Sequence, residues 1–85
     1  MTRKELFLST FKGYPEWDSA TKALSLETLI AQYARWQKRY SVEEYYSVED
    51  KIEEIKWMVE ADLITYEEQE EYEICTILRD VLEIL

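Results

Sequence analysis

The chain has 85 residues, 47% hydrophobic and 34% charged, with ten bases against nineteen acids for a formal net charge of −9. That size admits one domain with one core of modest stability, and the apolar content argues for a folded chain. A lone cysteine excludes an internal disulfide, no signal peptide is read at the start, and no run approaches the ~20 apolar residues of a membrane span, so a cytoplasmic protein is expected; the lack of histidine removes the commonest general base and metal ligand.

Gly13 and Pro15 are the only glycine and proline, which leaves little material for tight β-turns and favours helices throughout. In "TRKELFLSTFK", Phe7 and Phe11 stand one turn apart beside Leu6 and Thr10, which predicts a short amphipathic helix ending at Gly13. "GYPEWDSATKA" reads as a connector with room for one helical turn, pinned to the core by Tyr14 and Trp17. A second helix is expected from Ser25 as N-cap, with Glu27 in its first turn and Lys38 and Arg39 near its end, where the helix dipole favours cations. Leu26, Leu29, Ile30, Tyr33 and Tyr40 share its apolar face, and Arg35, Lys38 and Arg39 the other.

Ser41 with Glu44, and Ser47 with Asp50, both have capping-box spacing, so the third helix has two possible starts. It is expected to run to about Ala61, with Val48, Ile52, Ile55, Val59 and Leu63 recurring at helical intervals. "DLI", residues 62–64, is then read as a turn, and Thr65 with Glu68 as the capping box of a fourth helix whose stripe is Ile74, Ile77, Leu78, Val81 and Leu85. The expected fold is all-α: a single domain over residues 1–85, a small bundle of about four helices, up-and-down or irregular.

Charge divides the chain unevenly. Residues 1–41 hold seven bases and four acids, whereas residues 42–85 hold three bases and fifteen acids, a balance of −12. Nucleic acid and anionic membrane are poor partners for that second half, and a basic protein surface is a good one. Five glutamates, Glu67, Glu68, Glu70, Glu71 and Glu73, crowd seven positions. Helix-dipole stabilisation accounts for Glu67 and Glu68, but the pairs Glu67–Glu71 and Glu70–Glu73 repel by a few tenths of a kcal/mol each. On one continuous helix Glu67, Glu70 and Glu71 would line up with Ile74, Leu78 and Val81, so either water or cations must meet them. Arg3, Lys4, Lys12 and Lys22 are the internal cations expected to do so, incompletely.

On the third helix, Trp57 is expected opposite the inward stripe, among Asp50, Glu53, Glu54 and Glu60. It is either an exposed binding anchor in an acidic ring or core covered by the aromatic connector. Tyr46 and Tyr72 are expected to face outward by the same phase. Spread over two helices of roughly 30 Å, a net −12 amounts to about one charge per 2.5 Å, against one per ~1.7 Å in duplex DNA.

The chain offers little for catalysis. Cys75 lies beside the apolar stripe, where a buried inert thiol is expected, and no glycine-rich phosphate loop exists. The acid pairs Asp50–Glu53, Glu67–Glu70 and Glu70–Glu73 have a spacing that can hold Mg²⁺ or Mn²⁺, and that spacing alone is similar to all-helical nucleotide pyrophosphohydrolases. So many acids generate such pairs by chance, and no set of cations for a triphosphate accompanies them, so neither metal nor cofactor is assigned. The expectation is a non-enzymatic inhibitor that engages a basic protein, either a nucleic-acid mimic of the phage anti-defence type or an immunity or antitoxin-like protein. Its binding residues would be Asp50, Glu53, Glu54, Trp57, Glu60, Glu67, Glu68, Glu70, Glu71, Tyr72 and Glu73. The alternative is a self-associating assembly module that forms a homo-oligomer.

Overall fold

The computed structural model describes residues 2–40 and 48–85, with side chains over 2–37 and 51–85. Among them, four α-helices and one 3-10 turn follow in order: α1 (Arg3–Thr10), the turn Tyr14–Glu16, α2 (Ser19–Tyr40), α3 (Val48–Glu68) and α4 (Tyr72–Ile84). The expected caps at Ser41 and Ser47, Tyr46, and the side chains of Lys38, Arg39, Tyr40, Val48 and Asp50 lie outside the described residues. The protein is a small all-α bundle in which α4 packs most extensively on α3, and α2 lies against both.

α1 begins at Thr2, whose hydroxyl accepts a hydrogen bond from the Glu5 amide at 3.2 Å and so satisfies one of the orphan donors of the first turn. Its Phe7 meets Tyr66 of α3 edge-on, with ring centroids 5.7 Å apart, and Phe11 meets Tyr14 at 5.8 Å. Tyr14 in turn lies 5.6 Å from Trp17, so aromatic stacking fastens the connector to the core. Gly13 enters the 3-10 turn at φ +84°, a left-handed conformation that penalises any side chain, although a Cβ there would meet only Trp17 Nε1 at 3.5 Å. Conformation, not space, requires glycine.

Two helix boundaries differ from those expected. α2 starts at Ser19, not Ser25, because the Asp18 carboxylate accepts a 2.7 Å hydrogen bond from the Thr21 amide and the Asp18 carbonyl accepts the first helical bond from Lys22. The same backbone bond holds the Asp18 carboxyl below its usual pKa. The second correction concerns "DLI", which is helical. α3 runs through it to Glu68, and Thr65 is an interior residue whose hydroxyl donates to the Ala61 carbonyl at 3.1 Å, not the cap of a new helix.

The chain reverses instead at Gln69–Glu71. There the Glu71 amide donates to the Tyr66 carbonyl at 2.9 Å and the Glu70 amide to the Glu67 carbonyl at 3.1 Å, the two bonds of a Schellman motif. The position between them must be left-handed, and Glu70 occupies it at φ 59°. Glycine is the usual residue at that position, and an L side chain there is strained by roughly 1–2 kcal/mol. Glu70→Gly is accordingly expected to raise stability by about 0.5–1 kcal/mol, less than the full strain because glycine also adds freedom to the unfolded chain. Urea denaturation beside a Glu70→Gln control, which removes the charge and keeps the strain, checks this. A gain in the Gln variant equal to that in the Gly variant would assign the effect to charge.

The apolar stripes pack as their spacing requires. Leu26, Leu29 and Tyr33 of α2, Ile55 and Val59 of α3, and Ile74, Ile77, Leu78 and Val81 of α4 are all buried. Cys75 is buried with them, and burial pushes its thiol up, reinforced by Glu67, so the thiolate is disfavoured.

Two polar clamps lock the outer elements onto this core. Asp62 of α3 accepts two hydrogen bonds from Arg3 Nη1, both 3.2 Å, and one from the Tyr33 hydroxyl at 2.6 Å, which ties α1 and α2 to α3. The Arg3 guanidinium also covers the Trp36 ring at 4.6 Å. In the second clamp the Tyr14 hydroxyl donates to Asp80 of α4 at 2.7 Å, with the Lys22 ammonium 5.2 Å above the Tyr14 ring.

Candidate functional site

The ten nominated residues whose side chains are described fall into three groups. The first serves the protein itself. Glu54 is half-buried and accepts a hydrogen bond from Gln37 of α2, so it faces the bundle and not the surroundings of Trp57. Glu67 accepts from Arg79 at 2.9 Å, and Glu71 pairs with Lys4 at 2.8 Å. The question of what meets these glutamates therefore has a mixed answer, because cations reach two of the three that were expected on one apolar seam. That seam does not exist as expected: the break at residues 69–71 separates Glu67 on α3 from Ile74, Leu78 and Val81 on α4.

The second group is exposed and carries no described cation within ion-pair distance: Glu60, Glu68, Glu70 and Glu73. Glu53 is close to this group. It is exposed, with Lys56 of the same helix at 3.9 Å, a separation at which an exposed pair contributes little. Glu68, Glu70 and Glu73 sit on or beside the α3–α4 turn, next to Glu67 and Glu71, which take up Arg79 and Lys4.

The third group is aromatic. Trp57 is 71% exposed and Tyr72 63% exposed, so the connector carrying Tyr14 and Trp17 does not cover Trp57. Burial is usual for tryptophan, which makes this exposure informative. At 100° per residue, Trp57, Ala61, Ile64 and Glu68 fall within about 60° of one another along α3, with Glu53 and Glu60 along one flank. Ile64 is itself 58% exposed. Asp50 lies on α3, and its side chain is outside the described residues.

Sequence reasoning overlooked Ile64, which it placed in a turn, and Asp62, which shares a phase with Ile55, Val59 and Tyr66. An acid at an inward phase was the available signal for a partly buried ion pair. A groove of about 290 Å³ between α1 and α2 was also unforeseen; its lining of Leu6, Thr10, Phe11, Ser25, Thr28, Leu29 and Gln32 contains no charged residue.

Among the described residues no three acidic or cysteine side chains are grouped to hold a metal ion, and no helix is long and apolar enough to cross a membrane. Comparison with protein families, with curated proteins and with solved structures finds no match for this chain.

Proposed function

We propose that this chain is a cytoplasmic binding protein that acts by engaging a basic protein surface through α3 and α4, without catalysis. The carrying observation is the set of exposed carboxylates Glu60, Glu68, Glu70 and Glu73, which no described cation neutralises, beside the exposed Trp57 and Tyr72. A charge array of this kind accelerates encounter with a cationic partner, and an exposed aromatic residue supplies the desolvated contact that holds it. The most concrete form of the reading is an inhibitor that occupies the basic groove of a nucleic-acid enzyme as a mimic of the phage anti-defence type, or an immunity or antitoxin-like protein that blocks a basic toxin. Glu67 and Glu71 have internal partners and contribute less than the unpaired set.

The test is capture on immobilised protein, with elution along a salt gradient, by the native chain and by a Glu68→Lys, Glu70→Lys, Glu73→Lys variant. Basic proteins should be retained by the native chain and released as salt rises, and the variant should bind them at least 100-fold more weakly with its helical circular dichroism unchanged. Equal retention by the variant removes the proposed surface. A second reading, self-association, is favoured by the exposure of Trp57 and Ile64 and opposed by the net charge of −9 on each copy. A monomer mass by light scattering at high concentration counts against it.

A further inference from the structure

The exposed face of α3 combines two features that the charge reading alone does not use. Trp57 and Ile64 are two turns apart, about 10 Å along the axis, and Ala61 between them is exposed and small enough to admit a close neighbour. Glu53 and Glu60 flank this stripe and Glu68 closes its end, so a narrow apolar line is edged by acid over about four turns. From these positions we infer that α3 receives a cationic amphipathic helix of the partner, seated along Trp57, Ala61 and Ile64, with its lysines or arginines against Glu53, Glu60 and Glu68.

Charge complementarity selects this occupant. A second copy would bring the same three acids, with Lys56 the one described base paired to any of them, against their equivalents, at a net charge of −9 per chain. An extended basic segment would match the acids and leave the apolar line uncovered. A helix with apolar residues at i, i+3, i+4 and i+7 and cations beside them satisfies both, because that period matches the spacing of Trp57, Ala61 and Ile64. The inference rests on the proposed function and adds the form in which the partner presents its basic surface.

The probes are two 14-residue peptides of identical leucine and lysine composition. One has its leucines on a single helical face, and the other is scrambled so that they spread around the helix. Both are titrated calorimetrically into the full chain and into Trp57→Ala and Ile64→Ala variants, in which alanine keeps an exposed helical position helical. The amphipathic peptide should bind the native chain at least tenfold more tightly than its isomer. Each variant should erase that difference while binding the scrambled peptide as the native chain does, and native tryptophan emission should shift to shorter wavelength only with the amphipathic peptide.

Equal affinity for the two isomers, or a full preference retained by Trp57→Ala, overturns the inference and leaves the charge-based function standing. Failure of both peptides to bind overturns the two together. A native chain that sediments as a dimer and becomes monomeric on Trp57→Ala assigns the stripe to self-association and also overturns the inference.

Discussion

Replacing Asp62 with alanine should lower the unfolding free energy by about 2–3 kcal/mol, a large share of the stability of so small a domain. The carboxylate is the common acceptor for Arg3 and for Tyr33, whose ring is wholly buried. Without it the Tyr33 hydroxyl has no acceptor in the core, which costs about 1–3 kcal/mol, and the guanidinium loses its only described counter-charge. The pair is partly open to water, with side chains 34% and 17% exposed for Arg3 and Asp62, so its share is less than that of a fully buried ion pair. Arg3→Ala should therefore cost only about 1 kcal/mol, because Tyr33 still satisfies Asp62. Urea midpoints of the two variants test the ranking. An Arg3 variant less stable than the Asp62 variant would mean that the ion pair, not the shared acceptor, carries the clamp.

Alkaline pH should unfold the protein over a defined window. Burial is the main cause that raises the pKa of Tyr14 and Tyr33 well above the usual 10, and the carboxylates Asp80 and Asp62 reinforce it. Tyr66 is raised as well, again chiefly by burial. Each hydroxyl donates or stays neutral in the core, so the folded chain keeps protons that the unfolded chain sheds above pH 10. Stability is then fully present below about pH 10 and falls above it, by about 1.4 kcal/mol per pH unit for each of Tyr14 and Tyr33, or close to 3 together. Tyr14→Phe and Tyr33→Phe should each remove about 1.4 kcal/mol per pH unit from the decline, whatever they do at neutral pH. Urea midpoints measured from pH 9 to 11.5 give these slopes, and a Phe variant as steep as the native chain would show that its tyrosine ionises freely in the fold.

The all-α class was legible because long apolar stripes with a single glycine and a single proline leave few alternatives. Phe7 with Phe11, and the stripe from Ile74 to Val81, placed α1 and α4 correctly on their buried faces. The boundaries were less legible. Asp18 and Ser25 are both good cap residues by type, and the hydrogen bonds that Asp18 accepts from the Thr21 and Lys22 amides start α2 at Ser19. The α3–α4 reversal left no local mark, since its left-handed position holds glutamate where glycine is expected. From that one displaced break followed the expected acidic seam, the missed exposure of Ile64, and the missed pairing of Glu67 with Arg79, which forms only because α4 folds back onto α3. The outward phase of Trp57 and Tyr72 survived because phase is independent of where a helix ends.

The α3–α4 corner is closed by main-chain bonds to the carbonyls of Tyr66 and Glu67, and no side chain of residues 69 or 70 takes part in closing it. Its shape is thus insulated from its chemistry. Residue 70 works as a mounting point whose head group can be exchanged for another without re-solving the architecture beneath it, whereas adding or deleting a single residue there would rotate all of α4 and dismantle the core.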